Sequence, residues 1–173
     1  MKALIASLLM VTLLTLNISA QEDKSKRKSP PAIAEGVING VAVKIDYSQP
    51  EVKGRTTWGG ELVPFEKIWR TGANEATWLE TSGELIFNGG ILPAGKYSVF
   101  TIPHEDNSCT VIFNSVWDQW GPYQYDKSKD VLRISATKQK SEENFERMTF
   151  VINGEGFKLM WHDWYFSVMA DEG

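Results

Sequence analysis

Asn39-Gly40-Val41-Ala42-Val43-Lys44-Ile45-Asp46-Tyr47 reads as a tight turn followed by a strand with one buried face. Val41, Val43, Ile45 and Tyr47 alternate with Ala42, Lys44 and Asp46, the two-residue period of a pleated strand half exposed to water. Asn-Gly is a good hairpin signal, because both residues tolerate the positive φ of a two-residue turn. The alternation recurs outward along the chain. Leu132, Ile134 and Ala136 alternate with Arg133, Ser135 and Thr137; Glu146, Met148, Phe150 and Ile152 share one face; Phe157, Leu159 and Trp161 share another. Residues 97–102 and 110–113 are apolar on both faces, which suits central strands of a packed sheet. Turn signals at Gly59-Gly60, Ser82-Gly83, Asn88-Gly89-Gly90, Pro93-Ala94-Gly95 and Asn153-Gly154 cut the chain into short pieces. The best helical candidate, residues 64–69, is short. The expected fold is all-β: an antiparallel β-sandwich or jelly-roll-like single domain with little helix.

The amino-terminal end reads as an export signal. Lys2 precedes an apolar stretch from Ala3 to Leu16, and small residues lead to Ala20, so cleavage is expected after residue 20. The stretch is short for a bilayer core, which needs about 20 apolar residues, so no stable membrane insertion is expected after cleavage. Residues 21–31, with Lys24-Ser25-Lys26-Arg27-Lys28 beside Ser29-Pro30-Pro31, read as a disordered polar linker, and 32–173 as the domain. The expected compartment is periplasmic or extracellular. Loss of residues 1–20 removes Lys2 and no acid, which moves the formal charge from −4 to −5. A mildly acidic chain without a basic block is a poor partner for nucleic acid or an anionic membrane surface. Cys109 is the only cysteine and sits in a strand pattern, so it is expected as a buried thiol without a disulfide. Seven Trp, five Tyr and eight Phe make a large core feasible.

Val52-Lys53-Gly54-Arg55, Trp58-Gly59-Gly60, Val63-Pro64 and Trp69-Arg70-Thr71-Gly72-Ala73-Asn74-Glu75-Ala76-Thr77 follow one another in a distinctive order. Leu92-Pro93-Ala94-Gly95-Lys96-Tyr97-Ser98, Phe100-Thr101-Ile102-Pro103, Thr110-Val111-Ile112-Phe113-Asn114, Gln119-Trp120-Gly121 and Tyr125-Asp126 continue it. Over residues 29–169 this arrangement resembles the bacterial domain-of-unknown-function family 2911, met in exported Bacteroidetes-type proteins. The resemblance implies a fold and a compartment. It implies no established activity and supplies no catalytic residues.

Three segments carry residues suited to a ligand. In the first, Arg70 has a planar fork for a carboxylate or phosphate, and Asn74 and Glu75 suit a sugar hydroxyl. The alternative is structural: Arg70 pairs with Glu75 or caps strand ends, and Gly72 and Asn74 serve a turn. In the second, Arg55 and Trp58 lead into a double glycine, either as a stacking platform or as the edge of the core. In the third, Trp117, Trp120 and Tyr125 lie among Asp118, Gln119 and Gln124, the composition of a sugar-binding face and equally of a loop closing a sandwich. His104 reads as a hairpin-tip residue and His162 as part of a turn or bulge; neither has the convergent ligands of a metal site. Asp46, Glu75 and Asp118 are available as paired carboxylates, but their spacing singles none of them out. No nucleophile elbow, phosphate loop or cofactor motif is present. The expected function is a binding module for a small polar ligand, a glycan among the candidates. A structural or interaction protein of the cell envelope is the second reading. The third is an enzyme in which Arg70 stabilises charge and Glu75 or His104 is the base.

Overall fold

The computed structural model describes residues 23–172; the expected export signal lies outside them. The strands are β1 (Pro31–Ile38), β2 (Val41–Ser48), β3 (Trp78–Thr81), β4 (Leu85–Phe87), β5 (Gly90–Leu92), β6 (Gly95–Pro103), β7 (Ser108–Asn114), β8 (Asp130–Thr137), β9 (Gln139–Asn153) and β10 (Gly156–Met169). Every pairing is antiparallel, in a six-stranded sheet of order β1-β2-β3-β6-β7-β8 and two hairpins, β9–β10 and β4–β5. The large sheet is a meander interrupted by the β4–β5 hairpin, not a jelly roll. Residues 64–69 form no helix. Two short 3-10 turns, Lys24–Lys26 and Lys127–Lys129, are each capped by an aspartate side chain accepting from a serine N–H.

The expected turns form for the expected reason. Asn39 (φ 47°) and Gly40 (φ 83°) join β1 to β2, and Asn88 (φ 51°) and Gly89 (φ 75°) join β4 to β5. Val43, Ile45 and Tyr47 of β2 face inward, with Ile134 and Ala136 of β8. The β9–β10 hairpin lies across that face. Tyr47 meets Phe150 edge-on at 4.9 Å, and Phe87 stacks on Phe113 at 5.7 Å. Trp69 stacks on Trp161 at 5.8 Å. At about 25 cal/mol per Å2 of apolar surface removed from water, this aromatic layer supplies much of the drive to fold. Where β9 passes β1, Gly36 leaves room for Ile152: a Cβ at Gly36 would lie 2.7 Å from Ile152 Cγ2.

β10 carries one break in phase. Trp161 and Trp164 are both buried although three positions apart, because the register with β9 shifts on either side of His162, which takes φ 56°. The extra residue of a bulge returns Trp164, Phe166 and Val168 to the core face. The other face of the large sheet has a smaller apolar cluster, Ala76, Phe100 and Ile112, backed by Ile68, Ile102 and Tyr125. The loops 70–77 and 116–126 contribute to this outer cluster and position the site described next.

Candidate functional site

The turn 71–76 is held from several sides. Thr71 is fully buried at φ 54°, a strained setting for a β-branched residue. Its hydroxyl donates to Thr101 Oγ1 (3.2 Å) and its carbonyl accepts from Thr77 Oγ1 (2.7 Å). A Cβ at Gly72 would lie 2.9 Å from Thr77 Oγ1 and 3.1 Å from the Ser48 carbonyl, so glycine is required there. Ala76 N–H donates to the Gln119 carbonyl and Gly121 N–H to the Asn74 carbonyl, which ties the turn to the 116–126 loop.

Asn74 Nδ2 donates to the Ser29 carbonyl (3.0 Å) and to Ser48 Oγ (3.2 Å). Arg27 Nη1 donates to both carboxylate oxygens of Glu75 (3.0 and 2.8 Å), and Lys24 Nζ lies 2.9 Å from Glu75 Oε1. Lys24, Arg27 and Ser29, within the stretch whose composition reads as a linker, thus contact the 71–76 turn. The Glu75 partners are Lys24 and Arg27, not Arg70. Burial raises the Glu75 pKa, but hydrogen bonds from Lys24, from its own backbone N–H and from Arg27 outweigh it and hold the carboxyl at about 2.

Beside this lock lies a cavity of about 190 Å3, lined among others by Lys24, Asp46, Glu75, Trp78, Trp117, Asp118 and Gln119. The three carboxylates that local spacing could not single out thus share one wall. Register brings them together: Asp46 of β2 pairs with Trp78 of β3, and Glu75 bridges to Trp120. Trp78 and Trp117 meet edge-on at 6.3 Å, and Lys96 Nζ is clamped between them, 3.4 Å from one ring centroid and 3.7 Å from the other. The Asp46 side chain makes no hydrogen bond or ion pair among the described residues, and burial raises its pKa. Gln119 is 5% exposed; its Nε2 donates to the Val116 carbonyl (2.6 Å), while its Oε1 has no partner. The cavity wall thus holds two acceptors without a protein donor, next to two indoles.

The remaining expected residues separate. Trp117 (39% exposed) lines the cavity, and Trp120 (54% exposed) stands beside it with the Arg27 guanidinium 5.8 Å from its ring. Tyr125 is structural: its hydroxyl donates to Asp130 Oδ2 (2.7 Å), accepts from Arg133 Nη1 (3.0 Å), and its ring packs edge-on against Phe100. Burial, then the Asp130 hydrogen bond, push its pKa up to about 12. Arg70 is half-buried; its carbonyl accepts from Thr77 N–H, but its side chain makes no hydrogen bond or ion pair among the described residues, and its buried Nε has no partner there. The described partners of Glu75 are Lys24 and Arg27, and none of the described hydrogen bonds or ion pairs joins Arg70 to Glu75 or His104. His104 Nδ1 meets the Glu66 carboxylate (2.8 Å) and its Nε2 meets Thr110 Oγ1 (3.0 Å). Arg55 and Trp58 line a different cavity, shared with Lys138, His162, Asp163 and Trp164. Trp78 and Lys96 were missed by sequence; the only trace of them is a tryptophan and a lysine on the solvent phase of their strands.

Fold and site together define an all-β sandwich with a polar, aromatic-lined cleft on the outer face of its larger sheet. The chain belongs to the family described as "Protein of unknown function (DUF2911)", whose model matches residues 29–169. No curated protein and no solved structure matches the chain.

Proposed function

We propose that this protein is a binding module for a small hydroxyl-rich ligand, a sugar residue or the end of a glycan, held in the cleft between β2, β3 and the 116–120 loop. The observation that carries this reading is the pair of partnerless acceptors, the Asp46 carboxylate and Gln119 Oε1, beside Trp78 and Trp117. Gln119 Oε1 is buried, and a buried acceptor without a donor costs free energy unless a ligand satisfies it; the Asp46 carboxylate is half-buried beside it. Sugar hydroxyls donate, and sugar CH faces pack on indoles. The volume of about 190 Å3 is below the ~300–1,000 Å3 of pockets for drug-sized ligands, which matches one sugar residue. Glu75, with both oxygens held by cations, acts as the anchor of the amino-terminal segment across the cleft edge.

The test is calorimetric titration of residues 21–173 with neutral mono- and oligosaccharides, in wild type, Asp46→Asn and Trp117→Ala. Binding that weakens at least tenfold in both variants supports the proposal. Absence of heat across the panel, or binding untouched by both substitutions, overturns it.

A second reading, an envelope interaction protein, draws on the exposed row Val116, Trp117, Trp120 and Tyr123, the last 81% exposed. Exposed aromatics in one loop suit a partner surface. Co-purification of an envelope component that depends on Trp120 and Tyr123, without saccharide binding, would favour it.

A further inference from the structure

Three segments converge on a second cavity, of about 390 Å3, lined by residues 54–58, Lys138 and residues 162–164. Its floor is aromatic and fixed. Trp58 meets Trp164 edge-on at 5.0 Å, and Trp164 Nε1 donates to the buried Thr57 Oγ1 at 2.7 Å. Trp58 is 8% exposed, and its Nε1 has no acceptor among the described residues. The cations around this floor are not neutralised. Arg55 is braced by its own loop, Nε on the Val52 carbonyl (3.0 Å) and Nη2 on the Glu51 carbonyl (2.6 Å), which leaves Nη1 free. Among the described residues neither Arg55 nor Lys138 has a carboxylate within ion-pair distance; the nearby Glu51 carboxylate is taken by Lys53 and Arg147. Lys138 Nζ stands 5.6 Å from the Trp58 ring centroid and makes no hydrogen bond among the described residues. The one acid in the lining, Asp163, lies 3.1 Å from His162 Nδ1. His162 itself is presented by the β10 bulge, in the left-handed region of the backbone.

We infer that this second cavity is a binding site for a small oxyanion, a carboxylate, phosphate or sulfate carried on a compact ring. Its lining carries the donor side chains of Arg55, Thr56 and Lys138 beside Trp58 Nε1, which is buried without an acceptor among the described residues. The first cleft differs in charge: three carboxylates, Asp46, Glu75 and Asp118, line it, so the two sites select different ligands. A guanidinium already braced on backbone carbonyls loses little freedom on gripping an anion, and its planar fork matches carboxylate and phosphate oxygens. The paired indoles offer a ring a flat apolar surface, and the ammonium above Trp58 sits where charge on that ring would lie. In a chain of formal net charge −4, an unneutralised pair of cations at an aromatic hollow is a local inversion of the overall field.

The test uses residues 21–173 with three probes: inorganic phosphate, sulfate and glucuronate. Melting temperature is followed at low salt, together with the indole N–H resonances of protein labelled with 15N. The expected result is a rise of about 5–10 °C near saturation with at least one probe. The Trp58 indole resonance should move with it, and the shift should shrink as sodium chloride is added. Arg55→Gln and Lys138→Gln should each weaken the response several-fold, and Trp117→Ala, in the other cleft, should leave it intact. Lys138→Gln keeps the test open if Arg55→Gln unravels its loop. No response to any of the three anions, or a response that survives both substitutions, would overturn the inference.

Discussion

Arg27 and Glu75 are 48 positions apart and joined by two hydrogen bonds from one guanidinium nitrogen, at 3.0 and 2.8 Å. This contact fastens the segment before β1 onto the turn that shapes the cleft. The Glu75 carboxyl ionises at about 2 in the fold against an ordinary 4.5, so its stabilising effect is complete above about pH 4.5 and lost as pH falls toward 2. Glu75→Gln should lower stability by about 1 kcal/mol at pH 7, a modest figure because the pair is partly solvated. The gap between wild type and variant should be constant above pH 5 and close as pH falls from 4.5 to 2, measured by denaturant unfolding. Trypsin should also cut at Lys24, Lys26 and Arg27 faster in the variant.

Asp46 behaves in the opposite sense. Burial raises its pKa, so the folded protein carries a penalty for the charged form that grows as pH rises through the titration. Asp46→Asn should leave stability unchanged or raise it, by about 0.5–1 kcal/mol at pH 7, and the gain should vanish near pH 3. The same substitution should weaken saccharide binding. A stability gain coupled to a binding loss is the mark of a group kept for a ligand; a clear loss of stability at pH 7 would assign Asp46 a structural role instead.

Trp120 and Trp117 separate anchoring from binding. Trp120 is 54% exposed, and Trp120→Ala should change stability by no more than about 0.5 kcal/mol. Trp117→Ala removes one wall of the Lys96 clamp and one wall of the cavity. It should weaken saccharide binding more than Trp120→Ala does. Equal losses from both would move the ligand out of the cleft and onto the exposed loop.

The strands were legible because their evidence is local. Val43, Ile45 and Tyr47 alternate within one strand, and Asn39-Gly40 carries its turn in two residues. The site was legible only in part because its evidence is long-range. Residues 24–30 look like solvated linker by composition, and the acid that captures them lies 48 residues on. Asp46 and Trp78 become neighbours through strand register, which no spacing within either strand shows. Proximity in sequence makes Arg70 one candidate partner for Glu75, but the turn points the carboxylate toward Lys24 and Arg27. Trp164 lies out of phase with Trp161 until the bulge at His162 is known. The eight candidate residues therefore divide among separate places, and only Glu75 and Trp117 line the first cleft.

Cys109 supplies a probe of global unfolding. It is buried in β7, and burial pushes its thiol up to about 12. A thiol in that state holds almost no thiolate at pH 8 and meets no reagent. Labelling by a disulfide reagent at pH 8 should be negligible in the native protein and rapid beyond the denaturant midpoint. Fast labelling without denaturant would show that β7 opens on its own.

Two tryptophans of the second cavity should respond differently to loss of the indole N–H. Trp164 Nε1 donates to Thr57 Oγ1 at 2.7 Å, and both groups are buried. Trp164→Phe removes ring volume and leaves the Thr57 hydroxyl without its donor, so a loss of about 2–4 kcal/mol is expected. Trp58 Nε1 has no partner to lose. Trp58→Phe removes ring volume and also an unsatisfied donor, and the second effect offsets part of the first. Its cost should fall at least 1 kcal/mol below that of Trp164→Phe, measured by urea unfolding without anions. Trp58→Phe should also weaken phosphate or glucuronate binding, measured where the variant is still fully folded. Equal destabilisation by the two substitutions would mean that Trp58 Nε1 has a bound-water partner in solution, and its role as a free donor would be withdrawn.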